Sequence, residues 1–239
     1  MIINYDELAL KWQIESAYGP THRIKRKILK KIVKHIRNNR VCDIGSGSGI
    51  FSRLLQDENS VYSVDVSVKT LRLAQEKSVK AKIISADAQA LPFKDNFFDS
   101  VLLFDILEHT ENDERVIKEA WRVLKKGGGV IFSVPQDMRL FSNIDIENGH
   151  YRRYSKQDLI KRFSNLYKIT LLSSVGFPIM RIYLMLLARS THVGNFILSK
   201  WQRNILKFGS DLLFWLFHFD LLFQGSSLGV LIYGVAKKK

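Results

Sequence analysis

One cysteine and four prolines occur in 239 residues. A single thiol excludes a disulfide framework and a zinc site built from thiolates. Four prolines and 14 glycines are too few for a fibrous chain, and 46% apolar residues are too many for a disordered one. Long hydrophobic runs are missing too. The two most apolar stretches, 179–188 and 212–223, fall short of the roughly 18–20 residues that span a bilayer. The first twenty residues contain Asp6, Glu7, Lys11 and Glu15 and no apolar run. No secretory signal is expected, and the chain reads as cytoplasmic.

Acidic side chains are scarce at both ends. Residues 1–40 carry 10 basic and 3 acidic groups, 41–135 carry 12 and 14, 136–188 carry 8 and 4, and 189–239 carry 7 and 2. The net charge of +14 therefore comes from the flanks. Such a distribution bears on partners, not on fold. Nucleic acid, a membrane surface, a phosphorylated substrate and a plain solvated lysine-rich face all stay open.

What is present is an alternation of helix and strand. Ile24, Ile28, Ile32 and Ile36, with Leu29 and Val33, mark one amphipathic helix. Arg26, Lys27, Lys30, Lys31, Lys34 and Arg37 form its outer face, and Asn38-Asn39 ends it. Strands are expected at 40–44, 60–66, 82–86, 97–104 and 130–134, and helices at 50–55, 68–77 and 113–125. Gly127 to Gly129 break the last helix as a tight turn. Residues 143–154 read as a long loop, 156–163 as a helix capped by Ser155, and 168–174 and 228–236 as strands. Alternation of this kind builds parallel crossover units, hence an α/β, doubly wound sheet. Ligands of such sheets sit at the carboxyl ends of the strands.

Asp43-Ile44-Gly45-Ser46-Gly47-Ser48-Gly49 follows the first strand and opens a helix. Glycines allow a sharp turn and close ligand approach, and a helix N-terminus suits an anionic group. Asp65 ends the second strand, where a carboxylate can accept both ribose hydroxyls. These features fit a nicotinamide-dependent dehydrogenase as well as any other adenosine binder. Three details tilt the choice. The glycines run G-x-G-x-G. Asp43 would repel a pyrophosphate but suits a ligand carrying an ammonium group. Asp87 ends the third strand, where it can accept from an adenine amine. Together they outline S-adenosylmethionine.

Residues 41–135 resemble the class I S-adenosylmethionine-dependent methyltransferases of the broad small-molecule type. The resemblance rests on VCDIGSGSG at 41–49, SVDVS at 63–67, ADAQALPFKDNFFDSVLLFDILEH at 86–109 and RVLKKGGGVIFSVP at 122–135. It implies an enzyme with S-adenosyl-L-methionine as cofactor. It also implies a seven-strand Rossmann-like sheet whose last strand, here 228–236, inserts antiparallel. By the same resemblance Asp43, Gly45, Ser46 and Gly47 hold the methionine end, Asp65 and Val66 the ribose, and Asp87 and Ala88 the adenine. Phe104 and Asp105 lie against the cofactor. His109, in Leu107-Glu108-His109, has a packing and cofactor-edge role first and a catalytic one second. No metal is expected.

Methyl transfer is an in-line displacement that alignment and water exclusion can drive, and an oxygen nucleophile also needs a base. Six histidines are present: His22, His35, His109, His150, His192 and His218. His109 and His150 follow the fourth and fifth strands, at the ligand end, and are the catalytic candidates. Gly149-His150-Tyr151-Arg152-Arg153-Tyr154 resembles a G-H-x-R-R-Y segment of a subset of these methyltransferases. It offers Arg152, Arg153 and Tyr154 to the acceptor, or else docks the loop on the domain. Tyr5, Trp12 and Tyr18 are candidates for a lid.

The organisation expected is a basic helix or lid at 1–40, a cofactor-binding domain at 41–177 and 226–239, and an apolar helical insert at 178–225. The insert reads first as a cap over the pocket or a homodimer interface, and second as a segment touching a membrane, helped by the basic flanks. O-methylation of a small or lipid-linked hydrophobic acceptor is expected, since the Asn/Asp-Pro-Pro-aromatic string of many amino-group methylators is absent. The other readings are a tRNA or rRNA methyltransferase, a non-catalytic cofactor-binding protein at the inner membrane face, and a dehydrogenase.

Overall fold

The computed structural model describes residues 19–77, 80–189 and 200–239. At its centre lie β1 (Arg40–Ile44), β2 (Ser60–Asp65), β3 (Lys82–Ser85), β4 (Phe98–Phe104), β5 (Leu124–Pro135), β6 (Tyr167–Val175) and β7 (Leu231–Lys238). They form one sheet in the order β3-β2-β1-β4-β5-β7-β6. β1 to β5 pair in parallel, and β7 runs antiparallel between β5 and β6. Strand order reverses at β1, which has β2 on one side and β4 on the other. The carboxyl ends of these strands therefore open a crevice.

β1 and β4 are near-continuous apolar runs because both faces of the sheet are covered. Cys42 and Ile44 of β1 pack into the core on one face, and Val41 into the core on the other. The first face is covered by α4 (Asp113–Val123) and α6 (Lys156–Phe163), which bury Val116, Ile117, Ala120, Leu159 and Phe163. Asn112 caps α4, and Ser155 with Asp158 forms a capping box on α6. The second face is covered by α1 (Pro20–Val33), α7 (Ile179–Arg189) and α8 (Lys200–Leu216). Ile24, Ile28, Leu29, Met180 and Phe217 pack there against Leu102, Ile131 and Tyr233. The basic N-terminal helix and the apolar insert thus share one layer. The remaining α-helices of the described residues are α2 (Ile50–Leu55), α3 (Val68–Glu76) and α5 (Asn143–Glu147).

Four boundaries differ from the sequence expectation. α1 stops at Val33, three residues before Ile36. Gly127 to Gly129 lie inside β5, where the register jumps from Phe98–Leu124 to Ser100–Gly129. A Cβ on Gly128 would sit 2.8 Å from the Lys125 carbonyl oxygen and 3.0 Å from that of Asp99. Glycine there lets the strand bulge without breaking. The expected loop at 143–154 begins with α5, nucleated by a capping box between Ser142 and Asp145. β7 starts at Leu231 and continues to Lys238. Its extension is held by the Lys238 amine, which donates to the Trp121 and Leu124 carbonyls at 2.7 Å each. No helix among the described residues is long and apolar enough to cross a membrane. Tyr5, Trp12, Tyr18 and His192 lie outside the described residues.

Candidate active site

A cleft of about 570 Å³ opens at the carboxyl ends of β1, β2 and β4. That volume suits a small-molecule site. Asp43, Gly45, Ser46, Gly47, Asp65, Val66, Asp87, Ala88, Phe104 and Asp105 all line it. The chain turns into it through Gly45, whose φ is +68° and whose added Cβ would meet Ile106 Cδ1 at 2.8 Å. Gly47 also has a positive φ, +50°, but an added Cβ there meets nothing within 4 Å. The loop therefore leaves open space where a ligand backbone can approach.

Three polar features of this end fit the methionine and ribose parts of S-adenosylmethionine. The Gly47 and Ser67 amides donate to the two oxygens of Asp65 at 2.8 and 2.9 Å. They orient a carboxylate that can accept about four hydrogen bonds. Ser46 Oγ is buried and has no hydrogen-bond partner among the described residues. Asp43 is buried and accepts from Ser52 Oγ at 2.6 Å. Burial pushes the Asp43 carboxyl up to about 6, against the Ser52 hydrogen bonds and with help from the charge on Asp65. The Asp87 side chain accepts from the Gln89 amide at 2.8 Å, holding the turn that follows β3.

The cleft is also lined by His22 and Lys25 of α1, Glu108, His109, His150, Arg153, and Met180 and Leu184 of α7. Asp105, in a left-handed conformation with φ +52°, is paired with Lys25 and accepts from Ser133 Oγ. Burial works to raise its carboxyl, but Lys25 outweighs it and the group is held below its usual range. Glu108 is pushed well above its usual range by burial and by the Asp105 charge, which favours its neutral form. Burial lowers His22 to about 3, aided by Lys25, and lowers His109 to about 3, aided by His150. Both rings are therefore neutral at physiological pH.

Asp145 organises His150 and Arg153. Its carboxylate meets His150 Nδ1 at 2.8 Å and accepts a two-pronged contact from Arg153 Nε and Nη2 at 2.9 and 3.0 Å. It also accepts from the Ser142 amide at 2.9 Å. Burial raises this carboxyl, but His150 and Arg153 more than reverse that, so Asp145 stays ionised. An ionised partner makes Nδ1 the protonated nitrogen, which leaves Nε2 for proton transfer. The His109 ring stands edge-on to His150, with centroids 4.6 Å apart.

Two residues expected at the acceptor do not line the cleft. Tyr154 is buried in the core, and its hydroxyl donates to Asp113 at 2.8 Å. Arg152 turns to the same Asp113 at 3.2 Å and donates to the Glu111 carbonyl. Both pin the loop to α4, because buried Asp113 needs cationic and hydroxyl partners. Conversely, sequence reasoning gave no role to His22, Lys25 or Asp145. The Ser142-x-x-Asp145 spacing was a readable helix start, but nothing local says that α1 borders the cleft.

Glu108, His109 and His150 each offer a ligand-type atom, all within 4.8 Å of one another. Lys25 and Arg153 lie close enough to act on the Glu108 carboxyl, and their charge opposes a cation there.

Residues 42–132 match a family profile described as a methyltransferase domain. An uncharacterized protein of Methanocaldococcus jannaschii is 35% identical over 111 residues, covering 46% of this chain and 52% of that protein. A ubiquinone/menaquinone biosynthesis C-methyltransferase of Yersinia pestis is 33% identical over 127 residues, covering 48% and 51%. The chain thus spans about half the length of these curated relatives. Among solved structures, a possible histamine N-methyltransferase of Thermotoga maritima superposes with a TM-score of 0.67 at 18% identity, covering 98% of both chains. A structure of a Haloferax volcanii complex between a methyltransferase activator and its putative methyltransferase gives 0.65 at 15%, covering 100% and 99%. At such identities these two speak for the fold alone.

Proposed function

From the premise that residues 42–132 form a class I S-adenosylmethionine-dependent methyltransferase domain, we propose that the chain methylates an oxygen of a small or lipid-linked hydrophobic acceptor. The Asp145–His150 pair at the acceptor end of the cleft carries this reading. S-adenosylmethionine, when bound, supplies a methyl carbon activated by a positively charged sulfur. Asp43, Ser46 and Gly47 hold its methionine end, Asp65 and Val66 the ribose, and Asp87 and Ala88 the adenine. Met180 and Leu184 exclude water and receive the apolar part of the acceptor. His150 Nε2 takes the hydroxyl proton as the oxygen attacks, and Asp145 stabilises the imidazolium that results. Arg153, fixed by the same carboxylate, shapes the wall beside it.

Incubation with methyl-labelled S-adenosylmethionine and a membrane lipid extract tests this. Label is expected in the organic phase, in an alkali-stable ether. Label appearing only in added RNA, or cofactor binding without turnover, would overturn it.

Asp43 gives the binding step a pH signature. A ligand cation favours the ionised carboxylate, whereas the free protein holds the proton up to about pH 6. Cofactor affinity is therefore level above that pH and falls below it, by up to about tenfold per unit. Calorimetric titrations with S-adenosylhomocysteine at pH 5 to 8 read this out, and Asp43→Asn removes the slope.

A further inference from the structure

The outer surface of the α7–α8 layer carries more exposed apolar side chains than a solvated face needs. On α8, Phe208, Leu212, Trp215 and Leu216 recur at helical spacing, and Phe219, Leu222 and Phe223 continue the row in the turn that follows. Phe208 and Trp215 are each 71% exposed and Leu222 is 76% exposed. On α7 the exposed large apolar residues are Ile182, Met185 and Leu186, again one face. The two elements are tied by Asp220, which accepts from the Ile179 and Met180 amides at 2.9 and 2.8 Å.

Beside this face lies α1. Its Arg23 guanidinium sits 4.0 Å over the Phe214 ring and pairs with Asp211, and Lys27 meets His218. Residues 20–40 contain nine basic and no acidic side chains. Lys30, Lys31, Lys34 and Arg37 are exposed. An aromatic-rich apolar face edged mainly by cations, with Asp211 paired to Arg23, matches an anionic bilayer surface, where rings enter the acyl boundary and lysines meet the headgroups.

We infer that α7, α8 and α1 dock the protein on an anionic membrane leaflet, with the cleft opening between α1 and α7 to admit a lipid acceptor from that leaflet. α7 links the two sides. Met180 and Leu184 line the cleft, and Ile182, Met185 and Leu186 face outward. A lipid can thus bring its reactive head to His150 while its apolar part stays along α7. The choice of acceptor rests on the proposed methyl transfer; the docking does not.

Sedimentation of the full chain with vesicles tests the docking. Binding to phosphatidylcholine vesicles containing phosphatidylglycerol is expected to exceed binding to phosphatidylcholine alone by about tenfold or more. Trp215→Ser and Leu222→Ser, both on exposed positions, are each expected to weaken it about tenfold. The triple change Lys30→Glu, Lys31→Glu, Lys34→Glu is expected to abolish the anionic preference. S-adenosylhomocysteine binding, unchanged in every variant, reports that the fold is intact. No vesicle binding, or self-association at the same concentration that Trp215→Ser removes, would overturn the docking. Vesicle binding without any cofactor binding would instead defeat the methyl-transfer reading and leave the docking standing.

Discussion

Replacing His150 by alanine is expected to slow methyl transfer by about 10²–10⁴-fold, the usual contribution of a positioned general base. S-adenosylhomocysteine affinity is expected to stay within about twofold, because a base for the acceptor acts on the transition state and not on cofactor binding. The separation matters because His150 also packs. Its ring stands against His109, and its amide donates to the Asp145 carbonyl. If cofactor affinity fell together with rate, the residue would be a support for the loop and not a base. Asp145→Asn gives a second reading. It leaves a similar shape but removes the charge that sets the tautomer and steadies the imidazolium. It also weakens the hold on Arg153, so its loss of rate is expected to match or exceed that of His150→Ala. Single-turnover rates across pH, with cofactor saturating, distinguish these outcomes. A variant that transfers methyl at the parental rate would show that the acceptor needs no base.

Asp65→Ala is expected to weaken S-adenosylmethionine and S-adenosylhomocysteine by about 10²-fold or more. In the proposed binding mode the side chain presents an oriented carboxylate to the two ribose hydroxyls, and hydrogen bonds to a charged group contribute about 1.5–3 kcal/mol each. The substitution also removes the acceptor of the Gly47 and Ser67 amides, so the glycine loop loses an anchor. Asp65→Asn separates the two effects: one amide oxygen can still accept from the loop, while the charge is gone. Calorimetric titration with both ligands and with NAD reads the result. Unchanged affinity in the alanine variant would remove Asp65 from the site, and preferential binding of NAD by the parent would contradict the cofactor assignment.

Local patterns carry far in this chain. β1 and β4 were legible as short apolar runs because a strand buried on both faces is largely apolar. α6 was legible from its apolar spacing behind Ser155, a cap that works within one turn. The residues expected at the cofactor line one cleft because they follow directly on strand ends, where chain order places them in space. Failures came where the deciding partner is distant in sequence. Tyr154 belongs to the core because Asp113, 41 residues away, needs its hydroxyl. Gly128 fits within β5 because it has no side chain to meet the Asp99 carbonyl of the neighbouring strand.

The alternating α/β plan could be read from the chain, as could the antiparallel final strand through the family resemblance and the strand-end residues that line the cleft. Each depends on periodicity or on residues adjacent in the chain. Only the tertiary structure decided that α1 brings His22 and Lys25 to the cleft, that Asp145 ties His150 to Arg153, and that α8 leaves an apolar row uncovered. Those arrangements join segments up to 188 residues apart, as Arg23 and Asp211 are. Their contacts are set by how helices stack on a shared sheet face, and no local pattern encodes that choice.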